Sequence, residues 1–275
     1  MSEDSHAGER PLSPLGLAVR FYLGLGAPAK RGSFARCLLR AAPAYPLELV
    51  QALVSRYRGA SDAPEGAVQV INFRCARIRP AGCDGAFFVK EFPRHHALHD
   101  VERWLRCSRV DRAWRAGHLL PRLGVLTPRP VGTAQARLET RAVAEYLITE
   151  WLEGAVPFPQ LLKGAGAERR AVLLQEFGRE IGRWHSCGIY LRDLVKNVLV
   201  TEAEERRGYW LTDLDGLHPL RRVTRRRVLQ QMRQLGHWAK PLRREEAKMT
   251  AETYLGEAHG GGAEEIVQAL LLASR

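Results

Sequence analysis

The spacing of apolar residues changes twice along this chain, and those changes restrict its fold more than any other feature. Residues 15–58 carry apolar side chains at helical intervals, as in Leu47, Val50, Leu53, Val54 and Tyr57. After the turn-rich stretch GASDAPEG (59–66) the period falls toward two over much of 67–80. Val68, Val70, Phe73 and Cys75 are the candidate inward positions there. AFFVKEF (86–92) reads as a second strand, and the Gly-containing turn AGCDG (81–85) makes the pair a hairpin. Helical spacing returns over 97–122, with a break near Cys107–Ser108. AVAEYLITEWLEG (142–154) opens as a strand. Residues 168–187 place Val172, Leu173, Phe177, Ile181 and Trp184 on one side of a helix. Two short strand-like runs follow, NVLV (197–200) and YWLT (209–212), and 221–275 is basic and helical.

Composition narrows the class of molecule. The 275 residues are 45% hydrophobic, enough for a two-lobed protein or one large domain. No apolar run reaches the roughly 18–20 residues of a membrane span. The N-terminal MSEDSHAGERPLSP lacks the apolar centre of a secretory signal, so the expected location is cytoplasmic. The five cysteines (37, 75, 83, 107, 187) form no C-x-x-C pair, which argues against a zinc knuckle or a disulfide framework. The net charge of +12 implies an anionic partner, whether nucleotide, nucleic acid or acidic membrane surface. A basic solvated surface is the bland alternative.

Chemistry concentrates in YLRDLVKNVLV (190–200) and YWLTDLDG (209–216). Asp193 and Asn197 lie four residues apart before an apolar run, and Asp213 and Asp215 close the next one. Such a layout suits phosphoryl transfer. One carboxylate receives a hydroxyl proton, while an Asn and another carboxylate hold Mg²⁺. Turn formation by Asp-Gly is the competing structural explanation for the second motif. Upstream, Lys90 ends an apolar strand and offers a fixed cation for a polyphosphate; a solvent-facing strand lysine is the alternative.

The order and spacing of FFVKEF (87–92), SRVDRAWRAGHLLPRLGVLTPRPVG (108–132), YLITEWLEG (146–154), GREIGRWHSCGIYLRDLVKNVLV (178–200) and YWLTDLDGL (209–217) carry a resemblance covering roughly 65–217. The chain resembles the protein-kinase-like superfamily. More narrowly it is similar to the bacterial lipopolysaccharide core kinases, which phosphorylate heptose or 3-deoxy-manno-octulosonic acid. The resemblance implies an α+β, two-lobed fold, with a β-rich N-lobe over 59–150 and a helical C-lobe over 151–275; the helical spacing of 15–58 adds an expected N-terminal helical extension over 1–58. It implies ATP and Mg²⁺ as cofactors. Lys90 would meet the nucleotide phosphates, and Glu150 and Leu152 would form the hinge that meets adenine. Asp193 would be the catalytic carboxylate, with Asn197 and Asp213 on the metal. Glu102 is favoured as the helix partner of Lys90, with Asp111 the other candidate, because the position aligned with the usual glutamate is Ala113.

Three departures stand out. Leu191 occupies the usual histidine position before Arg192 and Asp193, Asn197 comes one residue early, and no Gly-rich loop precedes the first hairpin. Residues around Val70–Arg74 are expected to cradle phosphate instead, with Arg74 or Arg77 on it. The implied partners are a nucleotide and an anionic glycolipid or other sugar acceptor, with peripheral contact at the inner membrane surface. Nucleic acid is disfavoured, because RRVTRRR (221–227) lacks interleaved aromatics. A kinase for another small molecule or for protein Ser/Thr is one alternative; a pseudokinase acting as a binding or scaffold module is the other.

Overall fold

The computed structural model of the protein describes residues 30–34, 37–59, 68–72, 74–93, 108–137, 143–202, 207–220, 222–258 and 262–273. Its first part is a seven-stranded antiparallel sheet. The strands are β1 (Lys30–Phe34), β2 (Cys37–Ala41), β3 (Val68–Asn72), β4 (Cys75–Ile78), β5 (Phe87–Pro93), β6 (Pro130–Arg137) and β7 (Val143–Glu150). Their order across the sheet is β1-β2-β6-β7-β5-β4-β3. Helix α1 (Leu47–Arg58) buries Val50, Leu53 and Val54 on one face of this sheet, against Leu39, Ile78, Val89, Val131 and Ile148. Because strand side chains alternate, Val89 points into that core and its neighbour Lys90 to the opposite face. β5 lies between β7 and β4, with Lys90 paired to Leu147 on one side and Cys75 on the other. The lysine therefore stands on an interior strand, held by ladders on both edges.

This sheet corrects two expectations. The expected N-terminal helical extension is not evident: over 30–41 the strands β1 and β2 extend the sheet beyond β6, and the helix over 47–58 packs on that sheet as part of its core. The segment CLLRA is too short to show a period, and its pairing with Gly132–Ala136 lies about ninety residues away along the chain. Residues 1–29 lie outside the described residues. Similarly, 67–80 is not one strand but a tight hairpin, β3 to β4, and the AGCDG turn joins β4 to β5. Val70, expected to face inward, is 60% exposed on the edge strand, whereas Cys75 is buried.

The second part is mostly helical. Its helices are α2 (Arg109–Leu119), α3 (Phe158–Gly164), α4 (Ala167–Ser186), α5 (Arg225–Trp238), α6 (Arg244–Glu257) and α7 (Ala263–Ala273). Ser108 caps α2 by accepting from the Asp111 N–H at 3.1 Å, and the part of the expected helical stretch over 97–107 lies outside the described residues. Small strands β8 (Val156–Pro157), β10 (Val198–Glu202) and β11 (Arg207–Leu211) form one sheet; β9 (Ile189–Leu191) and β12 (Leu217–Pro219) form another. α4 buries Leu173, Leu174, Phe177, Ile181 and Trp184, while Val172 stays partly exposed. Among the described residues no helix is long and apolar enough to cross a membrane.

α4 and α6 approach closely because Gly178 and Gly182 lie on one face of α4. A methyl group on Gly182 would fall 2.5 Å from the Tyr254 carbonyl oxygen. Replacing glycine by alanine inside a helix gains about 1 kcal/mol of propensity. Overpacking against a backbone carbonyl costs about 1–3 kcal/mol, so the clash should win. Gly182→Ala should therefore lower the urea midpoint; a raised midpoint would show that α6 shifts freely.

Candidate active site

The four residues singled out for phosphoryl transfer come from separate parts of the chain, and one ion pair and two backbone features relate them. First, the Lys90 ammonium forms an ion pair with Asp213, and its Nζ lies 3.9 Å from Oδ1 of Asp215. Second, Thr212 donates its N–H at 2.8 Å and its hydroxyl at 2.9 Å to the Asn197 carbonyl. The residue before Asp213 is thus fastened to the end of the Asp193 loop. Third, a short 3-10 turn over Val195–Asn197 follows Asp193, and the Asn197 N–H donates to the Leu194 carbonyl at 3.0 Å. Lys196 Nζ sits 3.2 Å from Asp193 Oδ2, and the Asp193 side chain is 50% exposed.

Asp213 adopts a left-handed backbone, φ 52° and ψ 50°. Aspartate tolerates this region better than most residues, but it is still uncommon. The acid after it, Asp215, is nearly buried and held by α2. Nε of Arg109 donates to its Oδ2 at 2.5 Å, and Nε of Arg112 donates to its carbonyl at 3.1 Å. The two carboxylates perturb one another in opposite directions. Burial works to raise the Asp213 pKa, but the hydrogen bond with Asp215 and the cations Lys90 and Arg109 hold it below the usual carboxylate range. Burial, reinforced by the hydrogen bond and charge of Asp213, pushes Asp215 up to about 6.

The expected hinge behaves differently. Glu150 ends β7, its N–H is taken by the Arg129 carbonyl at 3.0 Å, and its carboxylate accepts from the Tyr45 hydroxyl. The Trp151 N–H is taken by Ala86 at 2.9 Å. These two amides serve the sheet, and the Leu152 carbonyl accepts from the Ala155 N–H at 3.4 Å. Arg77, expected on phosphate, instead bonds Glu153 at 2.6 Å and lies over the Trp151 ring at 5.2 Å. Asp111 pairs with Arg40 at 3.0 Å and Ala113 is buried in the helical core, so neither serves Lys90. Glu102 lies outside the described residues.

A family model described as "Lipopolysaccharide kinase (Kdo/WaaP) family" matches residues 84–252, well over half of the chain. The chain belongs to this family. Among solved structures it is similar to WaaP in complex with acyl carrier protein, at 20% identity, with a TM-score of 0.50. That match covers 78% of this chain and 88% of the other. The likeness establishes a protein-kinase-like fold of β-sheet followed by helices. The effector kinase LegK7 of Legionella pneumophila is more remote, at 10% identity and a TM-score of 0.36, covering 82% of this chain and 63% of its own. A search of curated proteins finds no match.

For a lipopolysaccharide kinase family member, the leucine at position 191 needs a substitute for the missing histidine. Leu191 is buried in the core, and its carbonyl accepts from Gln231 Nε2 of α5 at 2.5 Å. Gln231 Oε1 then faces His185 Nε2, and Tyr254 Oη lies 3.0 Å from His185 Nδ1. An amide oxygen only accepts, so Nε2 carries the proton and Nδ1 accepts from the Tyr254 hydroxyl. Gln234, one turn on, donates to the Arg192 carbonyl at 2.7 Å. The loop backbone is thus organised from α5. Sequence reasoning missed Gln231 and Gln234; their spacing of three on one helix face was the only local signal.

His185 must stay neutral for this arrangement, and burial lowers its pKa to about 4, with the Gln231 hydrogen bond only partly opposing. The unfolded chain takes up this proton near pH 6.5, the folded chain only near 4. The contribution of His185 is therefore complete above about pH 6.5 and is lost as pH falls toward 4. Urea unfolding at pH 7 and pH 4.5 should show the stability advantage of wild type over His185→Gln shrinking at the lower pH.

Proposed function

We propose that this protein is an ATP- and Mg²⁺-dependent kinase that phosphorylates a sugar hydroxyl of the lipopolysaccharide inner core. The observation that supports this reading is the Lys90–Asp213 ion pair, together with the tie from Thr212, next to Asp213, to the Asn197 carbonyl. The donor set suits the groups it would hold. Asn197 and Asp213 offer the hard oxygen ligands that Mg²⁺ takes, and Lys90 is a point cation suited to phosphate. The ion so held supplies neutralisation of charge on the phosphoryl oxygens.

The protein's own residues do the rest. Lys90, fixed on an interior strand, orients the α/β-phosphates. Asp193, on a loop whose carbonyls are pinned by Gln231 and Gln234, aligns the acceptor hydroxyl and takes its proton. Lys196 beside it balances the carboxylate. An anionic acceptor is supported by the basic turn that opens α5. Arg222, Arg225 and Arg226 are exposed there, and the Arg227 guanidinium lies 4.9 Å from the Tyr190 ring centre, three residues before Asp193. The same basic turn fits peripheral contact with an anionic lipid surface.

A nucleotide-binding scaffold without phosphotransfer is the second reading, favoured by the four-residue interval between Asp193 and Asn197. Transfer of labelled phosphate from ATP to purified inner-core oligosaccharide separates the two. Asp193→Ala should slow that transfer about 100-fold or more while leaving Mg-ATP affinity near wild type. A rate unchanged by the substitution would remove Asp193 from the mechanism.

A further inference from the structure

Protein kinases hold their nucleotide lysine with a glutamate from the helix that follows it in the chain. In this protein α2, the first described helix after β5, presents a cation to the site. Both Nε and Nη2 of Arg109 contact Asp215 Oδ2, and the other oxygen of the same carboxylate faces Lys90 at 3.9 Å. Asp215 therefore stands between the helix arginine and the strand lysine.

We propose that Arg109 is a positioning residue that sets Lys90 through Asp215, an Arg–Asp–Lys relay of inverted polarity where kinases use a direct Glu–Lys pair. This inference rests on the nucleotide-binding reading of the site given above.

Four features of the arrangement support it. Arg109 and Arg112 lie three residues apart, on one face of α2, and both grip Asp215, one by the carboxylate and one by the carbonyl. The Asp215 side chain is only 7% exposed, so its direction is dictated by protein groups rather than by water. The Phe92 ring, two residues after Lys90 on the same face of β5, lies beneath both cations, with Lys90 at 4.8 Å and Arg109 at 5.2 Å from its centre. A shared aromatic floor keeps the two from drifting apart sideways. Finally, the charges Lys90, Arg109, Asp213 and Asp215 cancel. When Lys90 turns to phosphate, Arg109 keeps the buried Asp215 compensated. A lysine could not replace it fully, because it would bring one nitrogen to Asp215 Oδ2 where Arg109 brings two.

The relay predicts a coupling that a merely structural arginine would lack. Mg-ATP and adenosine affinities are measured by calorimetry for wild type, Arg109→Gln, Lys90→Met and the double variant. Adenosine carries no phosphate and so does not engage Lys90. Arg109→Gln should weaken Mg-ATP about tenfold or more and leave adenosine within about twofold. In the Lys90→Met background the same change should cost Mg-ATP less than about threefold, because the relay then has nothing to position. Equal losses for the two ligands, or additive losses in the double variant, would overturn the relay. So would Glu102→Gln, if it reproduced the phosphate-selective loss while Arg109→Gln did not. Should Arg109→Gln fail to fold, Arg109→Lys carries the same cycle, with a smaller loss of the same selectivity. Absence of any Mg-ATP affinity in wild type would instead remove the nucleotide reading itself.

Discussion

Four charges bridging the sheet and the helical part govern the geometry of the site. Lys90 comes from β5, Arg109 from α2, and Asp213 and Asp215 from the turn after β11. Magnitudes say what this group is for. The Arg109 side chain is 59% exposed, and pairs with such exposed partners contribute only about 0–1 kcal/mol. Asp215, however, is almost fully buried, and stripping a buried carboxylate of its partners costs about 3–5 kcal/mol. The group therefore adds little to stability when complete and costs much when broken. That asymmetry favours one relative placement of sheet, helix and turn over others.

A second constraint runs along the backbone. The left-handed conformation at Asp213 carries a steric cost of about 1–2 kcal/mol for a residue with a side chain. It is sustained because the chain is tied on both sides: Thr212 to the Asn197 carbonyl, and Asp215 to Arg109 and Arg112. An uncommon backbone held from two directions places one carboxylate beside a lysine from another element. The Asp193 loop is organised by the same strategy. Leu191 fills the core instead of bonding the backbone, and a glutamine, a neutral histidine and a tyrosine from three helices do that work.

Legibility followed the range of the interactions. α4 was readable because its burial pattern repeats within twenty consecutive residues, and the β10–β11 hairpin because its partners adjoin in sequence. Lys90, Asp193, Asn197 and Asp213 could be proposed from sequence because each motif is compact and their order resembles that of a known family; the ion pair of Lys90 with Asp213 is a product of the packing. The β1–β2 pair was read as part of a helical region, because five-residue strands carry no usable period and their partner β6 is remote in the chain. Val70 alternates like an inward residue but lies on the edge strand, where that alternation no longer reports burial. Arg77 was expected on phosphate by proximity in sequence, yet β4 carries it to the hinge carboxylate Glu153.

By itself, the sequence determined which chemistry is available: a lysine on an apolar strand, a carboxylate and an amide before another strand, and an acidic pair at its end. Those are local facts, written in residue type and spacing. Only the tertiary structure decided which acid meets Lys90, that Arg109 grips the second of them, that the Glu150 and Trp151 amides are used by the sheet, and that α5 donates to the Leu191 and Arg192 carbonyls. The physical reason is that hydrogen bonds and ion pairs between residues a hundred positions apart depend on how sheet and helices pack. That packing is a property of the whole buried surface and leaves no mark in any single segment.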